Sequence, residues 1–335
     1  MKLYEIAESK GIESLQLTDR PTPKPGPGEV LVRVRATSLN YRDLALIKGG
    51  LARMVKLPLV PVSDGAGDVV EVGPGVTTLT KGDRVAAIFT QCWLAGPPIA
   101  GMYTTSLGGG IDGMLAEYVV LRAEGFVRIP DYMSYEEAAT LPCAAVTSWN
   151  ALVTEGRLKP GDTVLVMGTG GVSIFALQFA KMFGARVIAT SSSESKLRRL
   201  RELGASEVIN YKTTPEWDKA VLDVTGGQGV DHVVEIGGAG TLPRSITAVK
   251  SGGIVSLIGI LAGAGQIDPM MLLFKNARIQ GILVGSREMF ESMNRAMEVN
   301  RVHPVIDRVF PFDQAREAYR HLESGTHFGK VCIAG

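Results

Sequence analysis

Apolar and polar positions give the chain two textures. Through about residue 125 the pattern is that of short, half-buried strands. Val30, Val32, Val34 and Ala36 fall on one face of a run whose other face carries Arg33 and Arg35. Similar short runs recur at Val69–Val72, Arg84–Ile88 and Glu117–Leu121, punctuated by a Pro21–Gly28 linker and by the Gly73-Pro74-Gly75 and Lys81-Gly82-Asp83 turns. From about Ser134 helices and strands alternate. Tyr135–Glu155 has helical character in two pieces broken around Pro142. Glu207–Ile209, Val230–Ile236, Ile254–Ile258 and Ile279–Val284 read as strands, and Thr241–Val249 and Met289–Val299 as helices. Pro243 lies in the first turn of its helix, where a missing N–H costs little. Val305–Cys332 closes the chain as strand, helix, strand, a return to the first texture.

The stretch Thr163–Ser193 organises the second texture. Val164–Met167 is an apolar strand stopped by Gly168-Thr169-Gly170-Gly171; Val172–Phe183 is a helix whose clearly polar residues, Gln178 and Lys181, share one face. Gly184 ends that helix and Arg186–Thr190 begins a second strand. Strand, glycine turn, helix, strand is the first half of a dinucleotide-binding unit, in which the backbone approaches a pyrophosphate held at the positive end of the helix. Ser173 stands where the third glycine of G-x-G-x-x-G is expected, and a serine there has a hydroxyl to offer the phosphate. Ligands in such sheets bind beyond the strand C-termini, so Gly168, Ser191, Gly237, Gly259 and Gly285 are expected along one crevice.

The end of the second strand bears on the choice of cofactor. Where an NAD-binding chain usually presents an acid to the ribose 2′-hydroxyl, this one has Ser191-Ser192-Ser193. Serines do not repel a 2′-phosphate, and Lys196 follows within reach of one. Arg198, Arg199 and Arg201 read as a solvated helix face, and Glu194 is the residue that would favour NAD. NADPH is the expected cofactor.

Composition narrows the class of protein. A length of 335 residues with 45% hydrophobic content supports two cores. The net charge of +1, from 35 basic and 34 acidic residues, leaves no electrostatic footprint for nucleic acid or an anionic membrane. Cys92, Cys143 and Cys332 have no close spacing and point to a reducing cytoplasm. The start of the chain does not read as a signal peptide, and the longest uncharged stretch is short and glycine-broken, so no membrane span is expected. Phe89–Gly113 is long, apolar and glycine-rich, a loop of the kind that often serves as a lid; Phe89, Trp93 and Tyr103 are its candidate contacts to a flat substrate.

The GEVLVRVRA strand, GTGGVSIFALQFAK, the GVDHVVEIGG and GGIVSLIG strands and the closing FGKVCI together resemble the medium-chain dehydrogenase/reductase superfamily over essentially the whole chain. The branch it resembles most is the zinc-independent one that includes quinone oxidoreductase. That resemblance implies an α/β protein, a Rossmann doubly wound parallel sheet plus a GroES-like β-rich catalytic domain built from both chain ends, with a catalytic cleft between them. The expected division is residues 1–127 and 300–335 for the GroES-like domain and 128–299 for the Rossmann NADP(H)-binding domain. It also implies a homodimer paired through Ile279–Val284. The candidate cofactor contacts are Thr147, Gly168, Thr169, Gly170, Gly171, Val172, Ser191, Ser192, Lys196, Tyr211, Gly237, Gly259 and Gly285. Lys196 and Tyr211, the latter following Asn210, match the lysine and tyrosine with which quinone oxidoreductases contact the 2′-phosphate. Gly325 replaces the arginine that assists them.

The departures from the zinc alcohol dehydrogenases bear on mechanism. At the positions matching their catalytic ligands stand Asn40, Val62-Ser63-Asp64 and Cys143, and the structural-zinc loop holds Cys92 alone. One ligand of three does not make an open tetrahedral site, and His232, His303, His321 and His327 lack ligand spacing, so no metal is expected. Cys143 reads as a small buried hydrophobe. Hydride transfer from NADPH to a quinone or α,β-unsaturated carbonyl is the leading expectation. Asn40, matching the asparagine of quinone oxidoreductases, would sit by the nicotinamide, with Tyr41 as proton donor or oxyanion stabiliser and Arg42 as the alternative. Asp43 and Asp64 read as readily as structural groups, orienting Arg42 or capping turns, as functional ones. A zinc-free alcohol dehydrogenase or enoyl-thioester reductase is a second class, and a non-enzymatic NADPH-binding protein a third.

Overall fold

The computed structural model describes residues 1–50, 55–259, 261 and 265–335. The chain forms two compact units, residues 1–146 with 285–335, and residues 147–284.

The first unit is β-rich. β1 (Lys2–Ile6) and β2 (Leu15–Asp19) pair antiparallel as a separate hairpin. β3 (Glu29–Leu39) is the long central strand, flanked by β4 (Asp64–Val72), β5 (Arg84–Ala87), β6 (Tyr118–Arg122) and β7 (Phe126–Arg128). The alternation expected for β3 is only partial: Val30, Val32 and Ala36 are buried and Arg33 is exposed, but Leu31 is buried too and Val34 is half-buried, while Arg35 donates to Asp68 Oδ2 at 2.6 Å. A short helix, Tyr41–Ile47, follows β3 directly; its first-turn acid Asp43 accepts the Asn40 N–H through Oδ2 at 2.8 Å.

The second unit is a parallel sheet of six strands: β8 (Thr163–Met167), β9 (Arg186–Ser191), β10 (Glu207–Asn210), β11 (Val230–Glu235), β12 (Val249–Leu257) and β13 (Arg278–Gly281). Their order, β10-β9-β8-β11-β12-β13, is that of a doubly wound dinucleotide fold. Leu165, Ile188, Val233 and Val255 from four neighbouring strands pack with Ile246 and Trp217 to form one of its cores. The helix Gly171–Met182 follows β8 as expected. The last strand is shorter than the apolar run Ile279–Val284 suggested: pairing with β12 stops at Gly281, and Val284 takes a left-handed φ of 46° with its carbonyl bound by Asn150 Nδ2 at 2.8 Å.

The chain then returns to the first unit. β14 (Ile306–Pro311) and β15 (Lys330–Ala334) are parallel to each other, and β15 pairs antiparallel with β3, so the C-terminus completes the sheet β14-β15-β3-β4-β5-β7. The units divide at 146/147 and 284/285 rather than at 127/128 and 299/300. Hydrogen bonds give the reason. Tyr132 donates to the carbonyls of Met297 (3.1 Å) and Val302 (2.7 Å), and Asn294 Nδ2 donates to the Arg128 carbonyl at 3.1 Å. Residues 128–146 and 285–299 are thereby tied to the β-rich unit.

Candidate functional site

Because the second unit's sheet is parallel, the C-terminal ends of β8, β9, β11 and β12 share one edge, and Gly168, Ser191, Ser192, Gly237 and Gly259 lie along it. Gly168 turns with φ 74°, and a Cβ placed on Gly170 would meet nothing within 4 Å. That open space adjoins the N-terminus of Gly171–Met182, a helix no side chain caps. Donors, dipole and room for an anion coincide there, so these residues fit a dinucleotide pyrophosphate. Thr169, within the turn, and Thr147 are both buried. Ser173 differs from expectation. It is fully buried and its hydroxyl donates to the Met167 carbonyl at 2.5 Å, so it ties helix to strand and offers nothing to a phosphate.

The opposite wall is shaped by a residue sequence reasoning missed. Glu235, wholly buried at the end of β11, accepts the backbone N–H groups of Gly237 (2.6 Å) and Gly238 (3.0 Å), the Thr241 hydroxyl (2.7 Å) and the Ser245 hydroxyl. An acid at the end of the strand, just ahead of Gly237-Gly238, was the available signal.

At the end of β9 the three serines have separate tasks. Ser191 is buried and its Oγ accepts the Ser193 N–H at 3.3 Å; Ser193 caps the helix Glu194–Glu202 by accepting from Lys196 N at 3.5 Å. Ser192 is the most open of the crevice pair Ser191 and Ser192. Glu194 is drawn aside by the Asn210 amide, Lys196 lies in the helix's first turn, and Tyr211 is exposed. Arg198, Arg199 and Arg201 are exposed.

The β-rich unit carries a buried polar cluster. Asn40 closes β3, and the loop ahead of β4 brings Ser63 and Asp64 toward it through Val62, a β-branched residue held at φ 72°. Asp64 is fully buried and accepts the Ser63 hydroxyl (2.7 Å) and the Cys143 N–H (3.1 Å). Lys330, the first residue of β15, enters the same cluster although 3% exposed; its ammonium donates to the Leu39 carbonyl and to Asn40 Oδ1, both at 2.6 Å. Burial pushes Asp64 and Cys143 upward, and for each the Lys330 charge pulls the other way. Burial likewise raises Asp43 to about 6, against the lowering effect of Arg42. The Asn40 carboxamide helps keep Asp64 charged, while its Nδ2 forms no hydrogen bond of good geometry.

The other candidates of this unit fall into two groups. Tyr41 is 55% exposed, its ring open to solvent beside the cluster. Arg42 is committed: it donates to the Leu107 carbonyl at 2.8 Å, lies 3.4 Å from Asp43 and covers the Phe89 ring at 4.8 Å. Phe89 and Trp93 are core residues, with Trp93 Nε1 donating to the Gly96 carbonyl at 2.9 Å, whereas Tyr103 is exposed. Gly285 belongs to this unit, where a Cβ would sit 2.6 Å from Val146 Cγ1.

Comparison with known proteins agrees with this architecture. The family model described as "Alcohol dehydrogenase GroES-like domain" matches residues 26–131, and "Zinc-binding dehydrogenase" matches residues 171–298. A zinc-type alcohol dehydrogenase-like protein of Schizosaccharomyces pombe is 47% identical over 97% of this chain and 96% of its own. The chain belongs to the medium-chain dehydrogenase/reductase superfamily. It is therefore an oxidoreductase of a pyridine-nucleotide-dependent family.

Within that superfamily the chain is also similar to human quinone oxidoreductase, 27% identical over 97% of this chain and 95% of the other. Among solved structures, a putative alcohol dehydrogenase from Sinorhizobium meliloti superposes with a TM-score of 0.93 at 42% identity, covering 100% of this chain and 98% of that one. An NAD-dependent alcohol dehydrogenase gives 0.91 at 37%, and a mycobacterial protein complexed with NADPH gives 0.84 at 28%, each with full coverage of both chains.

The zinc implied by two of these descriptions has a poor match in the ligands. Catalytic zinc takes three thiolate, imidazole or carboxylate ligands and keeps a fourth position open. Here Asn40, Asp64 and Cys143 provide one carboxylate, one thiol and a carboxamide oxygen already bound to an ammonium, and no group of three or more His, Cys, Asp or Glu that could hold a metal ion occurs among the described residues. This donor set does not fit zinc.

Proposed function

We propose that this protein is an NADPH-dependent oxidoreductase that delivers hydride to a quinone or an α,β-unsaturated carbonyl without a metal. The observation that carries the reading is the Lys330 ammonium bound to Asn40 Oδ1 beside Asp64 and Cys143, the residues matching the zinc-ligand positions. A bound zinc contributes several kcal/mol of Lewis-acid stabilisation to an alkoxide or carbonyl. A positioned hydrogen-bond donor supplies only about 10²–10³ in rate, which suffices where the acceptor delocalises its own charge. Quinones and enones do so, because hydride arriving at a conjugated carbon leaves a phenolate or enolate.

NADPH, when bound, supplies the hydride. The parallel-sheet unit would hold it, with the Gly168–Gly171 turn and the following helix at the pyrophosphate and Ser192, Lys196 and Tyr211 around the 2′-phosphate. The partnering of Glu194 with Asn210 supports this choice, since it draws the one nearby acid aside. The mycobacterial relative solved with NADPH supports it too. In the β-rich unit, Tyr41 is the group free to give a proton to the developing phenolate or enolate, and Arg42 serves to hold its loop. Free Cys92, Cys143 and Cys332 suit a reducing cytoplasm. No helix among the described residues is long and apolar enough to cross a membrane, and the near-neutral charge argues against a nucleic-acid partner.

A homodimer is part of the proposal. β13 is the edge of its sheet, and the helix Pro269–Lys275 beside it has no buried residue, with Leu273 68% and Phe274 80% exposed.

The second reading, NAD-dependent alcohol oxidation, is favoured by the alcohol dehydrogenases among the relatives. A panel of NADPH and NADH against quinones, enones, aldehydes and alcohols separates the two. Turnover is expected with NADPH on quinones or enones. Alcohol turnover with NAD alone supports the second reading, and nucleotide binding without turnover supports a binding protein.

A further inference from the structure

We propose that Lys330 is a positioning residue of the reacting site, an ammonium built into the fold that holds the Asn40 carboxamide by its oxygen. The positioning role rests on the reading of Asn40 as a group of that site; the buried hydrogen bond between Lys330 and Asn40 stands without it.

The placement of Lys330 is unusual for its type. It lies on β15, an inner strand between β14 and β3, followed by the buried residues Val331, Cys332 and Ile333. An ammonium taken out of water there needs both hydrogen bonds and a counter-charge. The hydrogen bonds are those to the Leu39 carbonyl and Asn40 Oδ1. The counter-charge comes from Asp64, whose carboxylate has Lys330 as its strongest favourable charge, and more weakly from Asp43. Asp64 cannot drift away, because the Ser63 hydroxyl and the Cys143 N–H hold its two oxygens.

The consequence for Asn40 follows from donor chemistry. A carboxamide has an accepting end and a donating end of nearly the same shape, so packing alone does not choose between its two orientations. An ammonium has donors only. It therefore selects the oxygen, and Nδ2 is turned the other way. The adjoining backbone is fixed as well, since the Asn40 N–H is taken by Asp43 at the start of the helix that carries Tyr41. Lys330 thus sets the direction of the Asn40 amide, while Asp43 fixes the backbone at the start of the helix that carries Tyr41.

A double-mutant cycle tests the two parts separately. Lys330→Met keeps the length of the side chain but strands Asp64, and its Tm is expected to fall by roughly 10 °C. Adding Asp64→Asn removes the stranded charge and is expected to recover most of that loss. If Asp64→Asn instead adds a loss of its own, the charge coupling between Lys330 and Asp64 is wrong. In the recovered double variant, nucleotide affinity should stay within about twofold of wild type while kcat on a quinone or enone falls about 10- to 100-fold. Asn40→Ala alone should lower kcat similarly, and adding it to the double variant should change kcat by no more than about twofold, because both act through one group. Multiplying effects would overturn the positioning role. Absence of quinone and enone turnover in the wild type would overturn the functional reading and the positioning role together, while the stability arm still decides the charge coupling of Lys330 to Asp64.

Discussion

Asp43 and Asp64 carry carboxyl groups into the β-rich unit with almost no solvent contact, and their titration gives the cluster a measurable signature. Burial raises Asp43 from 3.8 to about 6, so between these values the folded protein holds a proton that the unfolded chain releases. The stabilisation linked to that proton is complete below about pH 4 and is lost as the pH rises through about 6. Asp43→Asn keeps an acceptor for the Asn40 N–H and removes this dependence. The Tm of the variant relative to wild type should therefore climb by several degrees from pH 4 to pH 7; a constant difference would contradict the raised carboxyl. Lys196→Ala should raise the KM for NADPH by at least about tenfold and that for NADH little, and equal effects would remove its phosphate role. At this scale the sequence was legible where partners are neighbours. Gly168, Gly170 and Gly171 are consecutive with the helix they serve, whereas Lys330 meets Asn40 across 290 positions. Ser173 was misjudged because a serine in a first helical turn can bond back to a carbonyl, as it does to Met167.

Elements with sustained periodicity were read well, and those set by backbone geometry were not. β8, the helix Gly171–Met182 and β9 lie within a residue or so of expectation. The apolar run Ile279–Val284 signalled burial correctly at Ile282 and Val284, but burial alone does not distinguish a paired strand from a left-handed turn. The helix Tyr41–Ile47, seven residues long, is too short to show a period. The glycine turn yields a clean prediction, because Gly170 has an ordinary negative φ and open space at its Cβ. Gly170→Ala should leave Tm unchanged and weaken nucleotide binding about tenfold or more, by blocking the backbone's approach to the pyrophosphate. Unchanged affinity would move the phosphate elsewhere. The exposed helix beside β13 yields another. Phe274→Glu should shift the protein from dimer to monomer in sedimentation without loss of fold, and a wild type that sediments as a monomer would refute the pairing.

For the whole molecule, the return of the chain to its first unit was legible in FGKVCI, the run that supplies β15 and with it Lys330. The resemblance implied a division at 127/128 and 299/300, and the compact units divide at 146/147 and 284/285. Tyr132 and Asn294, which bind the two flanking segments into the β-rich unit, carry no mark in sequence of where their partners lie. The proposal is hydride transfer from NADPH to a conjugated acceptor without a metal. Single-turnover oxidation of NADPH by a quinone or enone, measured on protein exhaustively treated with a chelator, tests that most directly. The proposed chemistry predicts the same rate before and after chelation, with no gain on adding zinc. A rate that collapses with the chelator and returns with zinc would contradict it.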